Sequence, residues 1–275
     1  MIDVEQVRAA DGTLLAVRRL AGTGPLLVAL HGFTGDGSTM LPLVEECRGE
    51  RPCLLIDIIG HGQSAAPEIT EPYTMASVVD QVLSLIGPHE PGTVHLLGYS
   101  MGGRIVLSMA ARAPWYFGSI TTISASPGLA DPVERAKRHD ADLERADEIE
   151  QDGLSSFVDD WLELDLFAPY VASLSANELE ATTAQRKANS AVGLANSLRG
   201  TGTGAMPPVW TALQAIRSPL LAIAGSLDER YVEIARQMAE AAPFGEFEII
   251  DGVGHVAHVE NCGAVGTTVR NFLEV

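Results

Sequence analysis

The sequence has little of what marks a secreted, membrane-bound or nucleic-acid-binding protein. Its three cysteines, Cys47, Cys53 and Cys262, are odd in number and lack paired CxxC spacing, so neither a disulfide framework nor a zinc site is expected. Positive charge is scarce: 18 Lys and Arg stand against 36 Asp and Glu, a formal net charge of −18. The field of such a chain repels phosphate backbones and anionic lipid surfaces, which argues against nucleic acid and membrane as partners. No apolar run approaches the roughly 18 residues of a membrane span. The opening MIDVEQVRAADG has neither the basic nor the apolar stretch of a secretion signal. These absences predict a cytoplasmic protein, and nothing in the sequence requires an obligate protein partner.

What is present suffices for a sizeable core, with 46% hydrophobic and 20% charged residues in a chain of 275. Short apolar runs bounded by Gly, Pro or polar clusters recur at 26–30, 53–59, 94–99, 120–125, 219–225 and 246–251 and read as buried parallel strands. Helical periodicity at 75–86, 104–113, 230–241 and 264–273 alternates with them, which predicts an α/β fold: a mostly parallel central sheet flanked by helices. The alternation breaks over 127–214, where charged, helix-forming sequence contains no strand. The core is therefore expected over 1–126 and 215–275, and 127–214 is expected to be a helical lid above the carboxyl ends of the strands, where open α/β sheets place ligands. The Gly- and Pro-rich stretch 200–208 reads either as a loop in contact with the site or as an ordinary connection between helices.

Gly98-Tyr99-Ser100-Met101-Gly102 lies between an apolar strand and a helix, the context of the G-x-S-x-G nucleophile elbow. There the flanking glycines allow strand and helix to approach while Ser100 is held in a strained turn at a helix N-terminus. A serine hydroxyl is a poor base or nucleophile at neutral pH and needs a histidine, which in turn needs an orienting carboxylate. His255, past the last strand in GVGHVAH, fits the first role, and His258 is expected to pack or face solvent. His31 and His61, in glycine-flanked turns, are expected to shape the rim by local hydrogen bonds. Asp228 follows the run LLAIAG and completes the chain order Ser100, Asp228, His255, with Asp131 as the fallback carboxylate. The backbone amides of Met101 and Phe33 are the candidate oxyanion hole.

Together LHGFTGD, DIIGHGQS, GYSMGGR, SPGLADPVERAKRHD and GVGHVAHVEN resemble the 2-succinyl-6-hydroxy-2,4-cyclohexadiene-1-carboxylate synthases of menaquinone biosynthesis, over about residues 26–262. The resemblance implies an α/β-hydrolase fold performing a carbon–oxygen lyase reaction, the elimination of pyruvate from an enolpyruvyl cyclohexene tricarboxylate, with Ser100 as general base rather than nucleophile. It also implies that Arg104, Arg138 and Arg186 bind the substrate and that Tyr99 and Trp161 line its pocket. A strongly acidic protein must place local cations to hold a small molecule with several carboxylates, and arginine's planar fork suits that task. Bland readings compete: Arg138 and Arg186 as solvated charges paired along a helix, Arg104 as a bridge holding its helix to the sheet edge, Trp161 as ordinary core. The chemistry requires neither a metal nor an organic cofactor. An esterase, lactonase or carbon–carbon bond hydrolase with Ser100 as nucleophile is the alternative the triad alone cannot separate, and a non-catalytic receptor for an anionic ligand is a third.

Overall fold

In the computed structural model, which describes residues 2–274, eight strands form one sheet: β1 (Val4–Arg8), β2 (Leu14–Leu20), β3 (Leu26–Leu30), β4 (Cys53–Ile56), β5 (Val94–Tyr99), β6 (Ser119–Ile123), β7 (Leu220–Gly225) and β8 (Gly245–Ile250). Their spatial order is β1-β2-β4-β3-β5-β6-β7-β8. The six strands from β3 onward pair in parallel, and β2 runs antiparallel to both β1 and β4. The outermost residues of the expected core, 1 and 275, lie outside the described residues.

The helices are α1 (Leu41–Cys47), α2 (Met75–Ile86) and α3 (Met101–Arg112), then α4 (Pro132–Gln151), α5 (Leu154–Leu162), α6 (Ala168–Ser173), α7 (Ala176–Lys187), α8 (Ala191–Thr201) and α9 (Trp210–Leu213) between β6 and β7, and finally α10 (Glu229–Ala241), α11 (Ala257–Glu260) and α12 (Cys262–Leu273). Side chains of successive strand residues go to opposite faces. Val28 and Leu30 accordingly join the core under α2, α3 and α10, whereas Leu27 and Ala29 join the core under α1 and α12. Burying both faces explains the unbroken apolar runs of β3, β5 and β7; each fully covered Leu or Ile contributes roughly 1.5–3 kcal/mol.

Two differences from the sequence-based expectation have physical causes. The hairpin β1–β2 pairs antiparallel at the edge of the sheet, and its outer strand carries Glu5, Gln6 and Arg8, so no apolar run announces it. At the opposite edge β8 exposes Glu246, Phe247 and Glu248, so the run 246–251 is a half-exposed edge strand rather than a buried one. Between β6 and β7 the described residues form helices joined by turns and irregular connections and contain no strand. This insertion docks on the core through backbone: Gly60 and Gly193 abut so closely that a Cβ on either would overlap the other's backbone.

Candidate active site

The turn from β5 into α3 carries Ser100 at φ 49°, ψ −105°, a left-handed conformation that costs a non-glycine residue on the order of 1–3 kcal/mol. Close packing around it sustains the strain. A Cβ at Gly98 would overlap the Gly102 carbonyl, and one at Gly102 would overlap the Leu30 carbonyl. The Gly102 N–H instead donates to the His31 carbonyl at 3.0 Å, and the Ser100 N–H donates to the Ile123 carbonyl at 2.9 Å.

The loops after β7 and β8 bring Asp228 and His255 to the same edge of the sheet. Ser100 Oγ donates to His255 Nε2 at 3.2 Å, and His255 Nδ1 donates to Asp228 Oδ2 at 2.7 Å. Both partners of the serine are buried. The imidazole is further confined by the Tyr231 ring, with centroids 4.7 Å apart, and by an edge contact with Phe167. Glu260 fixes the loop itself, its carboxylate accepting the Gly254 N–H at 2.7 Å and the Val256 N–H at 3.0 Å. Asp131 is not an alternative carboxylate: it is exposed and caps α4, accepting the N–H groups of Val133 and Glu134.

The amides of Phe33 and Met101 donate to no protein acceptor among the described residues, which leaves both available to an oxyanion. Thr34, directly after Phe33, also stands at positive φ, 67°. Its carbonyl is held from the insertion by Asn189 Nδ2 at 2.9 Å, and Gln185 Nε2 donates to Asp36 at 3.0 Å. Asn189 Oδ1 meanwhile accepts the Gly62 N–H at 2.7 Å. His31 and His61 do shape this rim: His31 Nε2 accepts the Ile58 N–H at 2.9 Å, and Nδ1 of His61 faces the Ile59 carbonyl at 3.2 Å. Burial lowers the pKa of both, His61 to about 3.

A cavity of about 460 Å³ opens above Ser100, lined by Gly32, Phe33, Tyr99, Trp161, Phe167, Tyr170, Arg186 and His258 among others. Tyr99 and Trp161, the pocket aromatics that the family resemblance implies, both line this cavity, and burial pushes the Tyr99 hydroxyl well above its ordinary pKa. Of the three arginines only Arg186 lines this cavity. It sits over the Tyr170 ring at 5.6 Å, donates to Thr182, and keeps a buried Nε without a partner. Arg104 is buried along α3 and donates to the Thr201 carbonyl at 3.0 Å; burial and the nearby Arg138 lower its pKa to about 10. Arg138 pairs with the fully buried Asp142 at 2.7 Å, which also accepts the Gly204 N–H at 3.1 Å. The Gly-rich stretch is therefore clamped between α4 and the start of α3, where Thr201 reaches Met101.

The residues that sequence reasoning missed are Tyr231, Glu260 and Asn189, whereas His258, expected to pack or face solvent, is buried and packs on Tyr99. Glu260 is readable as the acid of HVEN. Tyr231 and Asn189 lacked any motif. Among the described residues no cluster of three or more His, Cys, Asp or Glu is placed to share a metal ion, and no helix is long and apolar enough to cross a membrane.

A mostly parallel sheet with a strained serine after its fifth strand and a histidine–aspartate pair from the last two loops defines the α/β-hydrolase class, and the sequence profile of the alpha/beta hydrolase fold matches residues 25–261. The chain is 33% identical over 271 residues, 97% of each protein, to a Bacillus subtilis protein described as a candidate 2-succinyl-6-hydroxy-2,4-cyclohexadiene-1-carboxylate synthase. It is 31% identical over 252 residues, 91% of this chain and 87% of the other, to the synthase of that name from Yersinia enterocolitica. The structure of MenH from S. aureus superposes with a TM-score of 0.87 at 30% identity, covering 94% of this chain and 97% of that one. The chain is an enzyme of the 2-succinyl-6-hydroxy-2,4-cyclohexadiene-1-carboxylate synthase family.

Proposed function

We propose that the protein eliminates pyruvate from 2-succinyl-5-enolpyruvyl-6-hydroxy-3-cyclohexene-1-carboxylate, a lyase step of menaquinone biosynthesis, with Ser100 as general base. The observation that carries this reading is the shared cavity: Ser100, hydrogen-bonded to His255, and Arg186, whose guanidinium donates to Thr182 rather than to a carboxylate among the described residues, line one space of about 460 Å³. The ring carbon bearing the succinyl group has an acidic proton because the adjacent ketone stabilises the carbanion. Ser100 Oγ takes that proton while its own passes to His255 Nε2, and Asp228 stabilises the resulting imidazolium. The Phe33 and Met101 amides receive the enolate oxygen. Electrons return through the ring double bond, the C–O bond to the enolpyruvyl group breaks, and the proton leaves with pyruvate. Arg186 holds a substrate carboxylate, and the helical insertion over 127–214 serves as the lid. The enzyme acts on a small anionic molecule in the cytoplasm without a cofactor.

A serine hydrolase using Ser100 as nucleophile is the second reading. It is favoured by the aromatic lining of the cavity and by the engagement of Arg104 and Arg138 elsewhere. Parallel progress curves separate the two. Pyruvate formation far above the spontaneous rate, with slow p-nitrophenyl ester cleavage, supports the lyase; the reverse pattern assigns the site to ester hydrolysis.

A further inference from the structure

His258 lies one turn beyond His255, on α11, and 3% of its surface is exposed. Its ring packs on Tyr99 with centroids 4.3 Å apart and lines the same cavity as Ser100 and Arg186. Nδ1 is wholly covered and has no hydrogen-bond partner, so Nε2 is the polar edge left to face the cavity. A neutral imidazole carries one proton. A buried N–H without an acceptor is rarer and costlier than a buried lone pair, which assigns the proton to Nε2. A side chain kept only for packing would be served by Phe or Leu, neither of which leaves a polar atom unsatisfied.

We propose that His258 is a substrate-binding residue whose Nε2–H donates to the substrate carboxylate held by Arg186, making a two-residue anion subsite of one charged and one neutral donor. Two cations side by side in this buried space would repel each other. Burial, aided by the neighbouring His255 and Arg186, lowers the His258 pKa to about 3, so the donor stays uncharged across the working pH range. The inference rests on the proposed lyase reading for the identity of the substrate, but not for the state of the ring.

The test pairs His258→Phe, which keeps the ring contact with Tyr99 and removes the donor, with His258→Gln, which restores an N–H. On the pyruvate-release assay the expected result is a KM raised about 10- to 100-fold in His258→Phe with kcat within about threefold, and substantial recovery in His258→Gln. A wild-type KM in His258→Phe, at unchanged melting temperature, overturns the proposal. Nitrogen-15 histidine NMR of the wild type decides it separately. A neutral Nε2–H tautomer whose Nε2 resonance shifts saturably with succinate supports it; an Nδ1–H tautomer, a charged ring or no response to succinate refutes it. Absence of pyruvate release by the wild type would sink the lyase reading alone, and the NMR result would still decide the state and ligand response of the ring.

Discussion

Glu260 clasps the backbone on both sides of His255, accepting the Gly254 N–H at 2.7 Å and the Val256 N–H at 3.0 Å. Asp228 orients the imidazole, and Glu260 fixes the chain from which it projects. Hydrogen bonds to a charged acceptor contribute about 1.5–3 kcal/mol each, so loss of both lets the loop drift by enough to spoil an Oγ to Nε2 contact of 3.2 Å. Glu260→Ala is expected to lower kcat at least tenfold with little change in KM, and Glu260→Gln to fall between, since the amide keeps one acceptor. Steady-state kinetics of folded variants check this; a wild-type kcat in Glu260→Ala would show the clasp to be dispensable.

Asn189 joins the insertion to the loop that presents the Phe33 amide. Replacing it with Leu strands the Gly62 N–H, leaves the Thr34 carbonyl only the longer 3.4 Å bond from Gln185 Nε2, and is expected to destabilise the fold by about 1–3 kcal/mol. Because Thr34 is held at positive φ beside Phe33, kcat is expected to fall further than substrate affinity. Denaturant unfolding alongside kinetics measures both effects. Lost stability with unchanged kcat would limit Asn189 to a structural role.

The arrangement of Ser100, Asp228 and His255 is legible in the sequence because each follows an apolar run that ends at one edge of the sheet; chain order admits Asp131 as well as Asp228, and it is the fold that separates them, since Asp131 is exposed and caps α4. The parallel strands are legible for the same reason: burial on both faces leaves continuous hydrophobic sequence. Edge strands leave none, which hides β1 and β2 and makes β8 look more buried than it is. The arginines divide differently. Their residue type and spacing cannot reveal that Asp142 is buried and captures Arg138, or that a carbonyl 97 residues away in the chain receives Arg104. Asn189 and Tyr231 act only through contacts made by the folded chain.

Stability is expected to fall on mild acidification. His61 and His258 are held neutral in the folded state to about pH 3, whereas in the unfolded chain they take up protons below ~6.5. Between those limits the unfolded state binds more protons, so stability present above ~6.5 is lost as pH falls toward 3, by about 1.4 kcal/mol per pH unit for each histidine fully engaged. The melting temperature should drop between pH 7 and 5, and His258→Phe should make that drop shallower. A flat profile in both proteins would show that these rings are solvated or charged in the fold.

That Ser100, served by His255, removes the ring proton that expels pyruvate is tested most directly by one rate. Pyruvate release from freshly generated 2-succinyl-5-enolpyruvyl-6-hydroxy-3-cyclohexene-1-carboxylate is measured for wild type, Ser100→Ala and buffer alone. The predicted result is a wild-type rate far above buffer and a loss of about 10²- to 10⁴-fold in Ser100→Ala. A wild-type rate equal to buffer, or a Ser100→Ala rate equal to wild type, would contradict it.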